Sequence, residues 1–279
     1  MKRDIELNVK EGAKLLAYLH GELSNIPRGK VKSYLEHRQI SVNGIITTKY
    51  DYPLKAGDLV KISMNEGSVK THGVEVIYED EYLLAVNKPA KLLSVPTEKE
   101  KERSVYTRLL ENRRGELYVV HRLDRDTSGV LLFAKKRDIC TKLQDNWNEA
   151  VTLREYMAIC EGSFEKKKGR CDSLISENSV HRMYSGSEGK RAITDYEVIR
   201  EAGEYSLVRL KLLTGRKNQI RVHMKELGNP VVGDKKYGSE TNPIGRLGLH
   251  ASALAFIHPV TGKEIKINAR HERKFALPK

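Results

Sequence analysis

Residues 121–129, HRLDRDTSG, stand between two apolar runs, LYVV ending at Val120 and VLLFA starting at Val130. Short apolar runs rich in β-branched residues read as strands. The charged stretch is then a connection held at the ends of two rigid elements. Asp126, Thr127, Ser128 and Gly129 are turn formers, and a polar turn explains such a stretch on its own. The other reading is a carboxylate held firmly enough to meet a substrate. Asp126 leads into Thr-Ser-Gly and reads as the turn residue, whereas Asp124, after Leu123, reads as the working one. On spacing alone the plain turn is the stronger of the two readings.

The bulk of the chain limits what that loop can serve. With 279 residues, 39% hydrophobic and 31% charged, it is a folded chain of one large domain or two ordinary ones. No apolar run reaches the roughly 18 residues of a membrane span, so no membrane partner is expected. MKRDIELNVKEG lacks the apolar core of a secretory signal. Cys140, Cys160 and Cys171 have no CxxC spacing and read as free thiols of a reducing, cytoplasmic location rather than as disulfides or a metal site. Fifty Lys and Arg against thirty-seven Asp and Glu give a net charge of +13, which favours a polyanionic partner, and nucleic acid is the usual one. The excess is +4 over residues 1–70 and +9 over the remainder, so it is not confined to a tail.

Composition separates two regions. Residues 10–64 read as a small α/β unit. Ala13, Leu15, Leu16 and Leu19 mark one helix, and RGKVKSYLEHRQ is a second, basic one. ISVNG, GIITTKYDYPL and DLVKISM supply strands and a hairpin. In the basic helix Val31 and Leu35 form an i, i+4 apolar line, which lets Lys30, Lys32 and Arg38 project elsewhere. Residues 65–73, polar and glycine-bearing, read as a linker. Residues 74–279 read as an α+β domain in which helices lie against one large mixed sheet, since regular strand–helix alternation is missing. GSFEKKKGRC and YSGSEGKR read as solvated basic loops.

Two further constellations join the loop. In TGRKNQIRVH, residues 214–223, Thr214 and Gly215 precede a helix with the apolar line Ile220, Met224, Leu227. Arg221 lies at the edge of that line, placed either to snorkel or to reach a buried carboxylate and keep it ionised. The helix start is also a phosphate site in principle. In REYMAIC, Tyr156, Ala158 and Cys160 share one strand face, opposite Met157 and Ile159. Tyr156 reads as a core residue or as a platform for a flipped base. NKPA at 87–90 and LHASALAFIHP at 249–259 read as strand ends and turns, neither specific alone.

HRLDRDTSG resembles the HRLDxxTSG signature of the RluA-type RNA pseudouridine synthases. NKPA before it, and REYMAICEG, TGRKNQIRVH, NPVVGDKKYG and RLGLHASALAFIHPVTG after it, follow the family's order over residues 74–275. The first unit resembles the S-four-like RNA-binding module through KVKSYLEHRQISVNG and AGDLVKI. AKLLAYL stands where that module has Arg-Leu-Asp and PRG where it has Ser-Arg-Ser, with Arg28 kept. In the large domain Asn218 replaces a common histidine and Arg154 a common lysine.

The resemblance implies an α+β catalytic domain with a large mixed, mainly antiparallel sheet flanked by helices, preceded by a small RNA-binding module. It implies isomerisation of uridine to pseudouridine without cofactor or metal, in agreement with the lack of a nucleotide-binding glycine loop or a Cys/His cluster. Asp124 is then the nucleophile, Arg221 the cation that keeps it charged, and Tyr156 the ring stacked on an extruded uracil. Arg122 is placed to fill the vacated stack or hold a phosphate. Arg28, Lys30, Lys32 and Arg38 are expected to bind RNA. Large-subunit ribosomal RNA is the expected substrate and a monomer the expected state. Transfer RNA, a catalytically silent RNA-binding factor and an RNA glycosidic hydrolase are the alternatives.

Overall fold

The computed structural model describes residues 4–36, 39–47, 49–63, 70–71, 74–98, 100, 104–111 and 115–278. The chain divides into two compact units, Met1–Ile77 with Thr107–Gly115, and Tyr78–Tyr106 with Glu116–Lys279.

In the second unit the strand Ser128–Ala134 buries all seven of its residues. A strand apolar on both faces needs cover on both, so it belongs inside a sheet. Leu83–Lys88 pairs antiparallel with it, from Gly129 opposite Lys88 to Ala134 opposite Leu83. On the other side Leu249–Ile257 runs parallel, with Ser128 opposite His250 and Gly129 opposite Ala251. Gly129 is required there. Its φ is +117°, and a Cβ would stand 2.1 Å from the Ala251 carbonyl oxygen. The glycine of TSG thus lets the loop enter the sheet where two backbones meet.

From Leu249–Ile257 the sheet continues antiparallel through Val151–Glu161, Tyr205–Leu212, Lys190–Ala202, Lys168–Glu177 and Met183–Gly186. Tyr118–Val119 pairs with Ser128–Ala134, and Glu264–Asn268 with Leu249–Ile257. This is the large mixed, mainly antiparallel sheet of an α+β fold, with helices flanking it. On one face Ala158 and Cys160 pack with Ile220 and Met224 of the helix Gln219–Glu226. Ile159 packs on the opposite face with Val232 and Phe275. The alternation expected for Tyr156 to Cys160 holds, with a bulge at Glu155/Tyr156 against the neighbouring strand. The three cysteines are free and buried, and burial raises their thiol pKa values.

Three expectations are corrected. Leu227 caps the helix and is 37% exposed, because the helix ends before the apolar line completes its second turn. Ala13 belongs to the short strand Ala13–Lys14, and the helix runs from Leu15 to Glu22. The basic segments are loop only in part: residues 162–167 and 187–189 lie outside strands, whereas 168–171, 184–186 and 190–191 are strand. Arg170 lies directly opposite Asp195 and bonds to it at 2.6 Å, and Arg191 pairs with Asp172, so cross-strand charge neutralises them.

The first unit has a four-stranded sheet in the order Ile5–Asn8, Leu59–Ile62, Ile40–Val42, Ile45–Ile46, and a pair of short strands, Ala13–Lys14 and Pro53–Leu54. Ile5–Asn8 precedes residues 10–64 and pairs with Leu59–Ile62. Val31 and Leu35 of the helix Arg28–Glu36 are fully buried with Leu15, Leu19, Ile40 and Ile62. That leaves Arg28, Lys30 and Lys32 exposed. Arg38 lies outside the described residues.

Candidate active site

His121–Thr127 forms no helix or strand, so side chains from elsewhere in the second unit hold it. Ser94 fixes both backbone groups of Leu123: its hydroxyl donates to the carbonyl at 2.7 Å and accepts from the N–H at 3.0 Å. Lys88, wholly buried, donates to the carbonyls of Pro89 (3.0 Å), Leu92 (2.6 Å) and Arg125 (2.8 Å). Three acceptors match the three donors of an ammonium group. The Thr127 N–H closes a turn onto the Asp124 carbonyl at 3.2 Å. Beyond it, Ser128 Oγ accepts from Arg246 Nη2 at 2.6 Å and lies 2.8 Å from His250 Nδ1. Asp124 therefore stands between anchors on both sides.

The loop lines an open pocket of about 510 Å³ with Asp124, Tyr156, Arg221 and Arg122 on its walls. Asp126 is exposed and does not line it. The Asp124 side chain keeps 38% of its surface accessible, yet the carboxylate lies among protein atoms. Desolvation is the largest influence and raises its pKa, against the pull of Arg221 and Lys88. Burial lowers Lys88 to about 7, opposed by Asp126 and Asp124.

Arg221 approaches Asp124 Oδ2 with Nη1 at 3.7 Å, an ion pair longer than a hydrogen bond. Its full partner is Asp234, with Nε to Oδ2 at 2.6 Å and Nη2 to Oδ1 at 2.7 Å. The Asp234 side chain is 1% exposed. Asn218 Oδ1 accepts from Arg221 Nη1 at 3.1 Å, and the guanidinium lies 4.7 Å from the centre of the Tyr237 ring. Burial works to lower the arginine's pKa, but Asp234 and Asp124 outweigh it and the pKa is raised. Tyr156, half-buried, has its phenol pushed up to about 12, by desolvation first and the Asp124 charge second.

Arg122 is exposed at the pocket. Thr214 turns inward, donating to Gln219 Oε1 and accepting from the Ile193 N–H, both at 2.8 Å. The helix begins at Gln219, with Asn218 before it in the left-handed region at φ 56°. Lys88 and Asp234 lie in NKPA and NPVVGDKKYG, motifs that follow the family's order, but sequence reasoning singles out neither as a site residue. A lysine closing the apolar strand LLAVNK, and the aspartate of GDKKYG, are the available signals. Among the described residues no cluster of three or more His, Cys, Asp or Glu could hold a metal, and no helix is long and apolar enough to cross a membrane.

An anchored carboxylate beside arginines and a tyrosine, in a pocket of a strongly basic chain, fits an enzyme acting on a polyanion. The family model of RNA pseudouridylate synthases matches residues 82–226. An uncharacterized RNA pseudouridine synthase of Mycoplasma genitalium is 33% identical over 94% of this chain and 91% of its own. The ribosomal large subunit pseudouridine synthase D of Zymomonas mobilis is 34% identical over 73% of this chain and 71% of its own. Among solved structures, human RNA pseudouridylate synthase domain containing 1 superposes with a TM-score of 0.62 at 27% identity, over 72% of this chain and 85% of that one. The chain belongs to the RNA pseudouridine synthase family, in its RluA type, and is an isomerase acting on RNA.

Proposed function

We propose that this enzyme converts specific uridines of large-subunit ribosomal RNA to pseudouridine with Asp124 as the nucleophile. The observation that carries the reading is the placement of Asp124, fixed on both sides and facing an open pocket with Arg221 and Tyr156. In the reaction the C1′–N1 bond breaks, uracil turns, C5 joins C1′ and a proton leaves C5. A duplex hides the reacting atoms, so the target nucleotide is extruded into the pocket. Asp124 acts ionised, with Arg221 nearby as counter-charge. A phenol at about 12 is a weak base at neutral pH, so the Tyr156 ring serves by stacking on uracil. Arg122, exposed at the pocket, takes a phosphate or the vacated stack. Arg28, Lys30 and Lys32 add affinity from a separate unit, where tethering makes the second binding event intramolecular. Ribosomal RNA is favoured by the name of the Zymomonas relative, and the net charge of +13 suits a nucleic-acid substrate in general. The protein works as a monomer in the cytoplasm.

The test is tritium release from RNA labelled at uridine C5, with unmodified large-subunit ribosomal RNA and bulk transfer RNA in parallel. Release from the ribosomal RNA is expected. Release from transfer RNA alone would move the substrate class. Binding without release from either would favour a silent RNA-binding factor, and free uracil would mean hydrolysis.

A further inference from the structure

Trp147 is the chain's single tryptophan. It opens the short helix Trp147–Ala150, which buries none of its residues, and it lines the pocket half-buried. A tryptophan used for core packing would be covered on both faces. This one packs against His121, with ring centroids 5.0 Å apart and planes tilted by 32°. His121 Nε2 accepts a hydrogen bond from the Leu132 N–H at 3.1 Å, so that nitrogen carries no proton. Burial and the nearby Arg154 charge lower the imidazole pKa to about 4. His121 is thus a neutral ring fixed against the indole, and both line the pocket.

The pocket therefore has two aromatic surfaces, Tyr156 and the Trp147–His121 pair, while one extruded uracil needs only one. Cations line the pocket beside them. Arg154, held by a 2.8 Å bond to the Leu213 carbonyl, lines the same pocket, as does Arg216. Aromatic faces and cations in one pocket suit a single strand, because every base has a π-face and every link a phosphate.

We propose that Trp147, backed by His121, stacks a second base of the RNA, that of a nucleotide neighbouring the target uridine. The inference rests on the reading of the Asp124 pocket as the seat of uridine isomerisation. The pocket then engages two bases, and Trp147 contributes to which sequence context is accepted.

With one tryptophan, its emission reports on this site alone. The full-length Asp124→Asn protein, expected to bind without turning over, is titrated with a single-stranded oligouridylate of about nine nucleotides, within the size range of such sites. Inorganic polyphosphate serves as the charge control, and binding is followed in parallel by filter retention. Quenching by the oligonucleotide and none by bound polyphosphate is expected. In the otherwise native enzyme, Trp147→Ala raises KM for RNA about 5- to 100-fold, the range set by loss of one stacked base, and by more than it lowers kcat. Trp147→Phe restores most of the loss. Unchanged emission at full occupancy, equal quenching by polyphosphate, or an unaltered KM in Trp147→Ala would each overturn the proposal. The titration needs no turnover, so absence of tritium release from the native enzyme would sink the reading of the Asp124 pocket and not the stacking result.

Discussion

Asp124 and Asp234 face one guanidinium from two loops. Asp234 is buried and gives both oxygens to Arg221 at 2.6 and 2.7 Å. Asp124 meets the same group at 3.7 Å and keeps an open side toward the pocket. A carboxylate with both oxygens engaged in short charge-assisted bonds is a poor nucleophile and a good support. One with a distant counter-ion and a desolvated setting has a raised pKa and free lone pairs. The difference teaches that Asp234 sets the strength of the Arg221–Asp124 pair by holding Arg221 back.

The largest expected effect is at Asp124. Asp124→Asn should lose at least about a hundredfold in single-turnover rate, as enzymes deprived of a nucleophile do, with RNA affinity within a few-fold. Its thermal midpoint should not fall, because a desolvated charge is removed. Turnover near the native rate would dissolve the contrast between the loops.

Asp234→Asn should act on both counts. The amide cannot accept two charge-assisted bonds, and breaking one side of a buried pair costs about 3–5 kcal/mol. Urea unfolding should register that loss, and the rate should fall about tenfold or more as Arg221 closes on Asp124. A destabilised variant with an unaltered rate would leave Asp234 a purely structural residue.

The pH profile sharpens the comparison further. In the proposed mechanism Asp124 reacts in its ionised form, and burial raises its folded pKa above that of an ordinary aspartate. The rate should therefore be full above the raised pKa and fall about tenfold per unit as pH drops through it. The acid limb should lie above that of an ordinary aspartate. In Asp234→Asn, with the counter-charge given wholly to Asp124, the limb should move to lower pH. A limb that stays put would separate the two loops electrostatically.

The smallest effect belongs to the first unit. Lys30→Glu with Lys32→Glu should weaken RNA binding several-fold and flatten its salt dependence, the slope falling by about one for each phosphate the helix no longer neutralises. The acid limb should not move, since both residues are exposed on their own helix. Unchanged affinity would remove this helix face from RNA binding.

The loop that carries Asp124 is legible in the sequence because its motif is contiguous: turn formers and flanking strands all fall within a few residues, although spacing alone does not tell a working carboxylate from a plain turn. The core face of REYMAIC is legible because strand alternation is a local rule, and Ala158 and Cys160 obey it. Arg221 can be read as reaching a carboxylate, but not as reaching Asp234, since a loop return brings that group back. Lys88 looks like a strand end, because its three acceptors belong to turns that meet only in the folded chain. Leu227 is misplaced by the apolar pattern because periodicity does not record where a helix stops.

The amino-acid sequence by itself determined the strands that carry the pocket, the left-handed glycine that lets the loop into the sheet, and the set of residues able to do chemistry. Those follow from periodicity, turn stereochemistry and side-chain type, all short-range properties. Only the tertiary structure decided which aspartate holds Arg221 and which stays open to the pocket, and which aromatic surfaces share it. Those depend on distance and desolvation among segments far apart in the chain, and residue spacing carries neither quantity.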